Sequence, residues 1–243
     1  MEKRLYWVAL LFAANLTCYS QSDSTKARRS NTYLGVQANQ LIRQIFNFSN
    51  ANLVIDNPYL LAYSVNSKRT GVGFSAGLGY NINEVADGSP SNKRETKINN
   101  FSLRAGVEKK SLIGKKWMVS WGLDIIHDNL KNETKNIQNT DPSNPAIRFE
   151  STTTNTTSAW GFGPRFTLNF SITSRILLGT EASYYYKSGS TEVAASNTNT
   201  FLQFDPNTGG NKLTTLVTNT ESSSDFARFQ FIVPAVIYLT IKF

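Results

Sequence analysis

His127 is the sole histidine of the chain, and Asp128 follows it directly, a pair that could serve general acid–base catalysis. No Gly-x-Ser-x-Gly elbow or other nucleophile motif accompanies it. Its parity follows Trp117, Val119, Trp121, Leu123 and Ile125, which sets it on an apolar face rather than in a cleft. The single cysteine, Cys18, lies in an apolar N-terminal run, where Asn15 and Thr17 stand at the positions a lipidation signal fills with Leu and a small residue. One histidine and one cysteine leave no material for a zinc site, a disulfide framework or a Ser-His-Asp triad, so neither cofactor nor metal is expected. Asn-x-Ser/Thr triplets at Asn47, Asn100, Asn132, Asn155 and Asn169 are read as chance products of Asn- and Thr-rich composition.

Four other charged residues carry more promise. Arg104, Asp124, Arg165 and Glu181 lie on the small-or-charged rows that alternate with the large apolar ones. A charge enclosed in a narrow interior is costly unless paired. Their spacing about short turns predicts the pairs Arg104 with Asp124 and Arg165 with Glu181. Counting from a turn at 111–116, Lys110 falls opposite Met118, Glu108 opposite Ser120, and Gly106 opposite Gly122.

The elements that hold these residues follow from periodicity. Phe229, Phe231, Val233, Ala235, Ile237, Leu239, Ile241 and Phe243 are alternate residues and all apolar, a spacing of two that belongs to strands. Val72, Phe74, Ala76, Leu78 and Tyr80 alternate with Gly71, Gly73, Ser75, Gly77 and Gly79. Rows of glycine weaken a sheet face that meets water, yet suit the narrow lumen of a small barrel whose apolar face meets lipid. A soluble carbohydrate-binding sandwich is therefore the weaker all-β reading.

Eight strands are predicted, near 33–46, 59–66, 72–83, 100–110, 117–130, 159–170, 176–187 and 226–243. Short connections at 67–71, 111–116 and 171–175 alternate with long ones at 47–58, 84–99, 131–158 and 188–225, the last two including Thr- and Asn-rich stretches around 152–157 and 197–200 read as solvated loops. Ahead of them, charged Glu2, Lys3 and Arg4 precede an apolar run of about a dozen residues, too short to span a bilayer, and small residues Cys18 and Ser20. The predicted organisation is a signal peptide over 1–20, a periplasmic segment over 21–31 and an antiparallel up-and-down transmembrane barrel over 32–243, with both termini periplasmic.

A signal peptide, eight alternating strands and a terminal aromatic strand together resemble the small bacterial outer-membrane barrels of the OmpA/OmpX-like size class. The stretches Gly35-Val36-Gln37-Ala38-Asn39-Gln40-Leu41, Asn57-Pro58-Tyr59-Leu60-Leu61 and Thr70-Gly71-Val72-Gly73-Phe74 are similar to those of "outer membrane protein beta-barrel" sequences. The resemblance implies the outer membrane of a Gram-negative bacterium as location. It also implies that Phe243, Ile241, Leu239 and Ile237 form a signal read transiently by the outer-membrane assembly machinery. Interfacial girdles are expected at Trp117 with Phe243 and at Trp160, Tyr184 and Tyr186. The expected partners are outer-membrane lipid and an extracellular or envelope molecule. The formal charge of +8 looks spread through the chain and does not argue for nucleic acid. A structural or surface-interaction role through external loops is the leading expectation; a small-solute transporter or narrow channel is the alternative, and a lipid-modifying barrel enzyme using His127 ranks below both.

Overall fold

The computed structural model describes residues 30–38, 58–89, 91–139, 144, 146–207, 209–232 and 236–243. The leader expected at 1–20, the segment at 21–31 apart from its last two residues, and the loop at 47–57 lie outside the described residues. From Asn31 to Phe243 the chain forms one compact unit.

Nine strands are described: β1 Ser30–Gln37, β2 Leu61–Ser67, β3 Val72–Ser89, β4 Asn92–Ile113, β5 Trp117–Asn139, β6 Arg148–Ser171, β7 Ile176–Asp205, β8 Gly210–Ile232 and β9 Ile237–Lys242. Each sequence neighbour from β1 to β8 pairs with the next, and β9 pairs with both β7 and β1, which closes the sheet on itself. The chain is all-β, and its antiparallel sheet forms a ring of eight strand positions, β8 and β9 sharing the last. Between the pairs Ser183↔Ile232 and Thr180↔Ile237, β7 spends two residues and the last strand four. That even excess preserves parity, so Phe229 and Phe231 share a face with Leu239 and Ile241 across the interruption. With Gln37 set against Leu60 by their backbone hydrogen bond, the registers accumulate round the ring to a stagger of about ten residues, as a closed, tilted barrel requires.

Alternation runs inside out. On β5, Met118, Ser120, Asp124 and Ile126 are buried, whereas Trp117, Trp121, Leu123 and Ile125 are 45 to 61% exposed. The same inversion holds on β6, where Arg165 is buried and Phe162 and Phe166 are exposed. Polar residues line the lumen, and the large apolar ones coat the exterior.

Two expectations about the strands are corrected. The β4–β5 turn is three residues long, 114–116, not the expected 111–116, and starts at Gly114 with φ +67°. Only a residue tolerant of the left-handed region turns the chain this tightly. Ladder pairing therefore reaches Ile113↔Trp117, and the register slips by two: Arg104 faces Ile126, Gly106 faces Asp124, Glu108 faces Gly122 and Lys110 faces Ser120.

The second correction concerns the connections at 84–99, 131–158 and 188–225, which are mostly strand. Pairing continues to Ser89↔Asn92, Asn139↔Arg148 and Asp205↔Gly210, so the Thr-rich stretch 152–157 and the Asn- and Thr-rich stretch 197–200 lie on β6 and β7. A barrel wall below acts as a template that fixes register. Cross-strand polar contacts then carry the ladder upward: Lys97 pairs with Glu84 directly opposite, and the Thr157 and Thr200 hydroxyls meet those of Thr191 and Thr215. The Glu84 carboxylate holds Lys97 above the usual ammonium range, and a hydrogen bond from Lys93 holds Glu95 below the usual carboxylate range. Among the described residues β1 and β2 are paired only near the barrel, and the strands β3 to β8 rise beyond it as a six-stranded sheet with β3 and β8 at its two sides.

Glycine makes room for the charged residues inside. A Cβ added to Gly106 would strike the Asp124 carboxylate and the Leu123 carbonyl, while one on Gly77 would lie 3.0 Å from Arg104 Nε and 3.2 Å from the Tyr59 ring. Gly77 therefore accommodates Arg104, and Gly106 accommodates Asp124. Gly106→Val should destabilise the barrel by about 2 kcal/mol or more, since backbone on the facing strand cannot retreat. A denaturant midpoint in detergent no lower than that of the parent chain would contradict this packing.

Candidate functional site in the lumen

Inward parity on β4, β5, β6 and β7 delivers one charged residue after another to the same level of the lumen. Arg104, Asp124, Arg165 and Glu181 are each 2 to 4% exposed and in mutual contact. The expected pairs are present as the longer contacts, and the closer partner of each guanidinium is the other carboxylate. Arg104 lays its guanidinium edge-on against Glu181, with Nη1 donating to Oε1 and Nη2 to Oε2 at 3.0 Å; its Nε lies 3.7 Å from Asp124. Arg165 donates Nε to Asp124 Oδ2 at 2.7 Å and Nη2 to Ser75 Oγ at 2.7 Å, and stands 3.9 Å from Glu181. The fork geometry of each guanidinium selects the carboxylate it can meet with two nitrogens, and the two-residue register slip sets that choice.

Two further charged residues complete the cluster. Glu108 accepts from Arg165 Nη2 at 3.2 Å and pairs with Lys110 at 3.1 Å; Lys110 also donates to Ser64 Oγ and lies 3.7 Å above the Tyr33 ring. Three cations thus face three carboxylates, which keeps the buried cluster neutral.

Apolar and aromatic side chains enclose the cluster. Tyr59, Ile126, Tyr185 and Ile232 pack together on one side; Tyr33, Met118 and Leu177 form a second group. The aromatic residues are wired into the charges. Tyr185 Oη donates to Asp124 Oδ2 at 2.9 Å, Arg104 lies 4.3 Å above the Tyr59 ring, and Tyr238 Oη donates to the Tyr59 carbonyl at 2.8 Å. A cavity of about 60 Å³ remains beside Arg104, Glu108 and Thr167, and a separate one of about 260 Å³ opens between the short turns. Lys187 reaches Asp128 as an additional inward ion pair.

Glu108, Lys110, Tyr59 and Tyr185 were not singled out from sequence as members of this site. Tyr185 shares inward parity with Glu181 and Ser183, so a large aromatic among small and charged residues was the available signal. His127 and Asp128 point to opposite faces: Asp128 enters the lumen, whereas the His127 ring rests on Trp160 with centroids 4.5 Å apart on the exterior. Trp160, Tyr184, Trp117 and Phe243 are exposed on the outer surface, with Tyr186 half-buried against Phe229. Ile237, Leu239 and Ile241 are also exposed there. Among the described residues, no group of three or more His, Cys, Asp or Glu could hold a metal ion.

A family described as "Family of unknown function (DUF6850)" matches residues 17–207. The chain belongs to it. Among curated proteins and among solved structures, nothing matches the chain. The DUF6850 match runs through β1 to β7 and so takes in Arg104, Asp124, Arg165 and Glu181, while the β8 and β9 strands that complete the ring lie beyond it.

Proposed function

We propose that the chain is an outer-membrane barrel of a Gram-negative bacterium with a closed lumen, and that the tall sheet of β3 to β8 is its surface-interaction element. The observation that carries this reading is the inverted amphipathy: a neutralised polar interior inside a belt of exposed Trp, Phe, Leu and Ile. The belt has the right height. Trp117 and the residue facing Trp160, His127, are ten positions apart on β5, and at about 3.3 Å per residue with a tilt near 40° the separation is about 25 Å along the barrel axis, the height of a barrel's apolar band. Strands this apolar outside cannot be solvated, while every strand in a closed ring has its backbone groups paired. In this reading the assembly machinery reads Phe243, Ile241, Leu239 and Ile237, and the short turns face the periplasm.

The expected result is heat-modifiability. Unboiled protein in mild detergent migrates apart from the boiled form, and in vesicles of neutral phosphatidylcholine Trp117 and Trp160 are quenched by brominated lipids at opposite depths. Identical migration in both states, or equal depth for the two tryptophans, would overturn the reading. A narrow channel is the second reading, favoured by the cavity of about 60 Å³ among the charged lumen residues. A lipid-modifying enzyme has less support: His127 is spent on a ring contact with Trp160 on the exterior, while the neighbouring Asp128 carboxylate turns into the lumen toward Lys187.

A further inference from the structure

The net charge that looks dispersed along the sequence is sorted by the fold. In the lumen, Arg104, Lys110, Arg165 and Lys187 are matched by Glu108, Asp124, Asp128 and Glu181. In the rising sheet, eight basic residues meet nine acidic ones among the described residues of 81–100, 131–150 and 188–232. The surplus is left at the short-turn end. Lys68 and Arg69 form the β2–β3 turn, Lys115 and Lys116 the β4–β5 turn, Arg175 the β6–β7 turn, and Lys242 ends β9. None of these six forms a salt bridge among the described residues, and the five in the turns are exposed. The 260 Å³ cavity between the turns is lined by Lys68, Arg69, Lys110 and Lys242 and by no carboxylate side chain.

Position says what anion these cations would meet. They border the apolar belt: Lys116 precedes Trp117 and lies 5.7 Å from the Phe170 ring, Arg175 precedes exposed Ile176, and Lys242 lies between exposed Ile241 and Phe243. Cations at the edge of a lipid-facing belt stand at the height of phosphate groups, and each basic residue near an anionic surface strengthens its attraction. We infer that the short-turn rim is a collar for anionic phospholipid, holding phosphodiester headgroups against Lys68, Arg69, Lys116 and Arg175. This rests on the membrane reading above. It assigns that end of the barrel a lipid preference which the opposite end, with its balanced charges, lacks.

The test uses full-length chains keeping Trp117 or Trp160 as the only tryptophan, the others replaced by Phe, folded into phosphatidylcholine vesicles. Brominated phosphatidylglycerol and brominated phosphatidylcholine are compared at equal mole fraction. Phosphatidylglycerol should quench Trp117 about threefold more strongly than phosphatidylcholine, with no preference at Trp160. The preference should vanish in the chain carrying Lys68→Gln, Arg69→Gln, Lys116→Gln and Arg175→Gln, and in the unaltered rim when sodium chloride is raised, a condition that leaves the fold untouched. Equal quenching by both lipids at Trp117 in an inserted, heat-modifiable barrel overturns the collar. Loss of the preference in inorganic phosphate, but not in sodium chloride of the same ionic strength, would instead identify a free-phosphate site and overturn the lipid assignment. Failure to insert into phosphatidylcholine alone strikes the membrane reading, and so is distinguishable from either.

Discussion

Arg104→Ala is expected to lower the unfolding free energy by about 3 to 5 kcal/mol, because it takes from the buried Glu181 carboxylate the guanidinium that meets both of its oxygens. Glu181→Ala should cost a similar amount. The informative quantity is their coupling. Arg104 meets Glu181 with two nitrogens and Asp124 only at 3.7 Å, so the Arg104–Glu181 cycle should return about 2 to 3 kcal/mol and the Arg104–Asp124 cycle less than half of that. Asp124→Ala should couple instead to Arg165→Ala and Tyr185→Phe, its closer partners. Urea titration in detergent followed by tryptophan fluorescence measures all of these. Equal coupling of Arg104 to both carboxylates would mean that the network has rearranged, and the pairing described above would be wrong.

The second large effect concerns conduction. In the closed-lumen reading the charges do not act alone; the buried Tyr59, Ile126, Tyr185 and Ile232 group stands beside them. The unaltered barrel is therefore expected to be silent in planar bilayers. Arg104→Met combined with Glu181→Leu should remain folded and silent, since a buried pair replaced by apolar groups of similar volume loses little stability. Adding Tyr59→Ala to Arg104→Ala and Glu181→Ala removes an aromatic wall together with the charges, and should raise conductance by about tenfold or more over the unaltered chain. A steady conductance in the unaltered chain, or none in the triple variant once its heat-modifiability is established, would show that the obstruction lies elsewhere.

Inward and outward faces were legible because period-two alternation survives any even shift in register: Arg104, Asp124, Arg165 and Glu181 point inward whether or not the β4–β5 turn is three residues or six. Their partners were not legible, because a slip of two changes every cross-strand neighbour while leaving the faces intact. The turn itself turned on Gly114, one residue whose φ cannot be read from its neighbours. The upper halves of β5 to β8 were missed for a different reason. Stretches such as Thr152 to Thr157 are polar on both faces, so they carry no alternation, and only pairing to a neighbour already in register makes them strands. Charge at the short-turn rim escaped notice because Lys68, Lys116 and Arg175 are far apart in sequence and meet only once the three turns are brought to one end.

Ring closure ties the first described strand to the last: Tyr33 on β1 lies against Lys242 on β9, and Phe243 N–H donates to the Thr32 carbonyl. The contacts that close the ring therefore wait for β9 to be synthesised. Until then β1 and β7 each present a bare edge of the kind that recruits foreign strands, and the closing contact spans nearly the whole chain, which makes spontaneous folding slow. Biogenesis in this reading is a matter of timing. The polypeptide must travel unfolded and chaperoned, and no N-terminal portion of it can be a stable shorter barrel along the way.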